Sequence, residues 1–119
     1  MGSVLTTVGK NWITDKIDET LSSTASYVHW GTSTASAAAG DTTLNASASE
    51  ARVLATISQP AADTNRWVAT LTADGAKDIG EVGTFDALTD GNMMIHANFT
   101  SITLATNDTI QFTINLQTT

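Results

Sequence analysis

The alternation of apolar and polar positions is cleanest near the C-terminal end of the chain. From Asp108 to Gln117, Ile110, Phe112, Ile114 and Leu116 are set against Gln111, Thr113, Asn115 and Gln117. A period of two is the mark of a half-buried strand, with one face packed and the other in water. From Asn92 to Phe99 the apolar residues Met93, Ile95 and Phe99 share one parity with small Ala97, while His96 and Asn98 fall on the other. Asp90-Gly91 marks a turn because glycine reaches positive φ without a Cβ clash, and Asn107-Asp108 supplies the side-chain chemistry of the next corner. The stretch from Ile79 to Leu116 therefore predicts strand, turn, strand, turn, strand, an antiparallel meander.

Upstream the alternating runs are shorter and more often broken. Arg66 to Thr72 alternates Trp67, Ala69 and Leu71 against Val68, Thr70 and Thr72, and Arg52 to Ser58 carries Val53, Ala55 and Ile57 on one parity. Pro60 is expected to stop the earlier strand, since it has no amide hydrogen for a ladder, and Ala61 to Asn65 reads as the loop of a hairpin. Tyr27 to Trp30 is a short aromatic strand that ends at Gly31. Between them, the low-complexity run TSTASAAA from Thr32 to Ala39 and the turn at Gly40 to Thr43 predict a long surface loop, and Ala46 to Ala51 has room for one helical turn. A helical period occurs only at the start. Over Ser3 to Leu21, Leu5, Val8, Trp12, Ile13 and Ile17 share one arc opposite Thr7, Asn11, Thr14, Asp15 and Asp18. Gly9 on that arc costs helix stability of about 1 kcal/mol relative to alanine, tolerable where something packs closely. The helix can dock on the sheet or in another chain's groove. Ser22 to Ser26 reads as a polar link. The sum is a mainly β, single-domain chain (residues 1–119): an antiparallel β-sandwich or barrel-like fold of about six to seven strands with one N-terminal amphipathic helix.

Composition narrows the classes of function. With 41% hydrophobic and 14% charged residues the chain can build a core, and with 119 residues it forms about one domain. A net charge of -7 with only five Lys and Arg argues against nucleic acid and against an anionic membrane. Cysteine is absent, which removes disulfides and thiolate chemistry. No apolar run is long enough to span a bilayer or form a signal-peptide core, so a soluble, uncleaved chain is expected.

Candidate chemistry is sparse. His29 and His96 are the only histidines, and Ser101 lies near His96 in sequence, but with ten serines such proximity carries little weight for a catalytic relay. Asp41, Asp86, Asp90 and Asp108 sit singly at turns without the alternating oxygens of a calcium loop. Gly80-Glu81-Val82-Gly83 lacks the third glycine, the basic residue and the helix of a phosphate loop. No catalytic residue, metal ligand or cofactor is expected. Glu81 stands apart: it shares parity with Ile79 and Phe85, so it is expected inside and paired with Arg52, or failing that Arg66, unless a bulge at Gly80 or Gly83 turns it outward.

Three segments give the chain a likeness: the opening VGKNWITDKI, the element YVHWGTSTASAAAGDTTL followed by EARV, and the ending EVGTFDALTDGNMMIHANFTSITLATNDTIQFTINL. Together they resemble small phage virion structural proteins, among them capsid decoration or cement proteins and tail or fibre β modules. Thr84 departs from the pattern, where a larger apolar residue is usual. The resemblance implies a structural, non-enzymatic module on the capsid surface, a homo-oligomer (trimer or dimer) whose partner is the major capsid protein of the same virion. A host-glycan-binding tail or fibre module is the alternative, although Trp12, Trp30 and Trp67 read more readily as core than as a sugar platform. The expected partner contacts are Leu5, Val8 and Trp12 on the helix and Thr32, Ser33, Thr34 and Asp41 in the loop, which would order on contact.

Overall fold

The computed structural model describes residues 2–17 and 26–118. It shows two antiparallel sheets and one short helix. The chain opens with strand β1 (Gly2–Leu5), helix α1 (Thr7–Ile17) and strand β2 (Tyr27–Gly31). After a long irregular segment come β3 (Val53–Leu54), β4 (Thr56–Ala61), β5 (Thr64–Thr72), β6 (Lys77–Phe85), β7 (Met93–Leu104) and β8 (Thr109–Gln117). One sheet runs β1-β7-β6-β2-β3 and the other β4-β5-β8. The expected six to seven strands become eight because a strand was hidden at the start and another splits in two.

The hidden strand corrects the expected helix. Gly2 to Leu5 pairs antiparallel with Ile95 to Asn98 instead of coiling, and the helix begins only after Thr6. Thr6 caps it: the Gly9 amide donates to Oγ1 at 2.9 Å and the Lys10 amide donates to the Thr6 carbonyl at 2.9 Å. The same hydroxyl donates to the Met93 carbonyl at 2.6 Å, so one buried side chain ends the strand, starts the helix and ties both to β7. Gly9 is needed for the approach, since a Cβ there would lie 2.4 Å from the Met94 carbonyl oxygen. The expected end of the helix, from Asp18 to Leu21, lies outside the described residues, as does most of the polar link.

The stretch expected as one strand from Arg52 to Ser58 changes sheets at Ala55. β3 pairs with β2, β4 pairs with β5, and at the corner the Ala55 amide donates to the Ser26 carbonyl at 2.7 Å. Pro60 does not end β4, contrary to expectation. β4 is an edge strand, with a register irregularity between Ser58 and Ala61, so a missing amide hydrogen breaks no central ladder. No helical turn forms over Ala46 to Ala51, where Ser47 instead bridges Gly31.

The expected meander is also corrected. β6 and β7 do pair across a turn in which Asp90 and Gly91 take positive φ, 54° and 71°. β8, however, leaves its neighbour in sequence and pairs along its whole length with β5. The turn at Asn107 (φ 73°) makes the crossing: its amide donates to the Ala73 carbonyl at the end of β5, and the Asp108 carboxylate accepts the Ala105 amide.

Between the sheets lies the main core, with Val28, Trp30, Leu71, Ile79, Val82, Leu104 and Phe112 buried. Trp30 and Phe112 meet edge to face with centroids 6.3 Å apart. Phe112→Ala is expected to cost about 3–5 kcal/mol by opening a cavity beneath Trp30; coincident urea midpoints for variant and wild type would show that β8 presents its other face.

Candidate functional site

The face of the five-stranded sheet that points away from the other sheet is crossed by the segment from Thr32 to Arg52. This strap is rich in Ala, Ser and Thr and can bury little apolar surface of its own. Leu44 is its only large buried apolar residue, set against Phe85 and Met93. Polar bonds do the rest.

Glu81 stands at their centre. A shift of register between Ile79 and Glu81 shows the bulge at Gly80, which turns Glu81 away from the inter-sheet core. It is nevertheless completely buried, because the strap covers it. Its expected partner Arg52 is not there. The carboxylate accepts the amides of Asn45 (2.9 Å) and Ala46 (2.7 Å) and meets His96 Nε2 at 2.9 Å. Arg52 lies with its guanidinium 3.7 Å from the centre of the Phe85 ring and donates to the carbonyls of Ala87 and Asp90, both at 2.7 Å. Arg66 donates to Asn115 on the exposed side of the smaller sheet. The two successive backbone amides and the His96 ring take the place at Glu81 that the expected guanidinium would have filled.

His96, also fully buried, bridges two carboxylates: Nδ1 lies 2.6 Å from Asp41 Oδ2 and Nε2 lies 2.9 Å from Glu81 Oε1. An imidazole with one ring proton can donate to only one of them, so both contacts together require a second proton, on the ring or on a carboxyl group. Asp41 also accepts the Ala38 amide at 2.8 Å, and that amide, then the His96 ring, holds its carboxyl below the ordinary range. The chain Ala38, Asp41, His96, Glu81, Asn45/Ala46 therefore clamps the strap to β6 and β7. With both ring nitrogens on carboxylates, His96 has none left to take a proton from Ser101, which is exposed on β7.

A second polar knot fixes the far end of the strap. Glu50 accepts Trp30 Nε1 at 2.9 Å and the Asp74 amide at 2.8 Å and forms an ion pair with Lys77. Burial works to raise its pKa, but the Lys77 ammonium, the Asp74 amide and the Trp30 indole outweigh it and pull the pKa down to about 2. His29 Nε2 adds a contact of 2.7 Å to the Glu50 carbonyl.

The residues expected to meet a partner divide into two groups. Leu5 and Trp12 are half-buried against Trp67, Met94 and Ile95, and Val8 is half-buried beside them. Thr32 and Thr34 are exposed and Ser33 is half-buried. Asp41 is committed to His96, and the loop is already ordered by the clamp. His96 was read as a water-facing strand residue, and the roles of Glu50 and of the Asn45 amide went unread in the sequence. Their signal was the glycines: Gly31, Gly80 and Gly83 leave space where a Cβ would strike Ala46 and Glu81, Ser33, or Met93 and Leu44. Among the described residues no group of three His, Cys, Asp or Glu side chains is arranged to hold a metal ion.

Fold and site together define a mainly β, two-sheet sandwich with an N-terminal helix and a clamped strap. No protein-family model, curated protein or solved structure matches the chain.

Two outcomes are expected. His96→Phe strands Glu81, and breaking a buried pair from one side costs about 3–5 kcal/mol; limited proteolysis should then cut the strap, and an uncut variant of unchanged urea midpoint would show the clamp to be idle. The depressed pKa of Glu50 contributes stability above about pH 4.5, the unfolded value, that is lost as pH falls toward about 2. Glu50→Gln should flatten that part of the acid-unfolding curve, measured by circular dichroism.

Proposed function

We propose that the protein is a structural component of a phage virion, a decoration or cement protein that binds the outer capsid shell as a homo-oligomer and stabilises contacts between major capsid subunits. The observation that supports this reading is the strap. Its middle is held by Glu81 and His96 and its far end by the bonds of Glu50, and what it turns outward is a fixed surface of small side chains. A surface ordered beforehand loses little conformational freedom on docking, which suits a module bound in many copies. The resemblance of the three sequence segments points the same way.

The second reading, a tail or fibre module that takes a host-surface glycan, rests on one place. Beside α1 a cleft of about 290 Å³ is lined by Val8, Asn11, Trp12, Asp15 and Asn92, an indole among amides and a carboxylate. The buried Trp12 Nε1 has no hydrogen-bond partner among the described residues.

The test mixes the protein with undecorated capsid particles. Wild type should co-sediment with them, and Thr34→Lys together with Val8→Lys should weaken binding by about tenfold with an unchanged circular dichroism spectrum. A wild type that ignores particles but binds an immobilised glycan in a manner abolished by Trp12→Ala would establish the second reading in place of the first.

A further inference from the structure

The two sheets differ in width, five strands against three, and the difference leaves part of the inner face of the wider sheet without a cover. There a groove of about 540 Å³ runs between β7 and β8, with Ile95, Ala97 and Phe99 on its floor, Phe112 and Ile114 on one wall and Ile102 on the other. Phe99 is only half-buried and Ile102 is 42% exposed.

Both rims of the groove are strand edges. β8 closes its sheet with no described strand paired on its outer side, and on β7 the pairing with β1 stops at Gly2 and Asn98, so beyond Asn98 no described strand covers that edge. Exposed edges are normally blunted by Lys, Pro or inward-pointing charges, because their free amides and carbonyls recruit other strands. Neither rim has such protection. From Thr109 to Gln117 and from Phe99 to Leu104 there is no charged residue and no proline, in a chain with net charge -7. Ser3 of β1 lies at the end of the groove, where β1 covers the edge of β7 only as far as Asn98.

We propose that this groove takes one extended segment of another protein chain, uncharged and apolar at every second position, which pairs with the free edge of β8 and lays its apolar side chains over Phe99 and Ile102. Neighbouring strands stand about 4.8 Å apart, so a segment paired to β8 reaches over the floor that the three-stranded sheet leaves bare. Backbone bonds supply the binding and the alternate apolar side chains the selection, as in other additions of a strand to a sheet edge. No residue lining the groove is charged, which selects against acidic or basic segments, because a charge set on its apolar floor would lose its water without finding a partner there. The proposal rests on the shell-binding reading for the source of the segment, an extended arm of a capsid subunit, while the groove's chemistry stands by itself.

The experiment uses the full chain and a capped peptide of alternating Thr and Val as the probe, with a second peptide carrying Lys at its central Val as control. Hydrogen exchange followed by NMR should show new protection of β8 amides with the first peptide and none with the second. Ile102→Lys and, separately, Thr113→Lys, both at exposed positions, should weaken peptide binding by about tenfold while thermal unfolding stays as in wild type. The same variants should lose binding to undecorated particles. No saturable peptide binding, or protection confined to α1 and the strap, would overturn the proposal. So would particle binding that both variants leave unchanged, even though the shell reading would then stand. Peptide binding with loss in the variants, in a protein that ignores particles, would uphold the groove and remove the shell as its source. A wild-type dimer that Thr113→Lys dissociates and that excludes the peptide would assign the β8 edge to a second copy and overturn the proposal as stated.

Discussion

The buried imidazole of His96 between Asp41 and Glu81 is the constraint on which the outer face of this sandwich depends. A segment of Ala, Ser and Thr cannot cover a sheet by hydrophobic burial, since at roughly 25 cal/mol per Å² of apolar area its methyl groups supply little driving force. Charge-assisted bonds of fixed geometry do so instead. They also specify position: a carboxylate that needs two adjacent backbone amides accepts the strap in one register only, at Asn45 and Ala46. A buried carboxylate is expensive unless it is well bonded, and Glu81 draws its partners from both layers at once, two strap amides and the His96 ring.

The strap is pinned at its middle and at its far end by networks of opposite composition. In the middle a histidine sits between two acids; at the far end an acid, Glu50, collects donors from Trp30, Asp74 and Lys77. Short backbone bonds fill the interval, from the Thr32 amide to the Ala46 carbonyl at 2.8 Å and from the Ala48 amide to the Trp30 carbonyl at 3.1 Å. Ordering each residue of such a segment costs about 1–2 kcal/mol in backbone entropy, and folding has already met that cost before any partner arrives. Under the proposed function a surface of this kind would dock as a rigid body, whereas the groove between β7 and β8 would bind by completing a sheet. The molecule thus carries two unlike surfaces on opposite sides of its wider sheet.

What the linear sequence determined is the local part of the fold. The parity of Ile110, Phe112, Ile114 and Leu116, the turns at Asp90-Gly91 and Asn107-Asp108, the aromatic strand at Tyr27 and the helix around Trp12 all follow from periods of two or 3.6 residues and from turn chemistry, which act over a few neighbours. Partner choice was decided elsewhere. Parity cannot say whether β8 pairs with β7 or with β5, because either leaves the same residues facing inward; the bonds between Ala73 and the Asn107 turn decided it. The start of the helix was misread for a similar reason, since the edge of β7 was free to take Gly2 to Leu5 as a strand. The clamp was the least legible feature. Alternation assigned His96 to water, and a bulge at Gly80 together with a distant strap made that water-side face an interior, which brought residues 15 and 55 positions apart onto one ring.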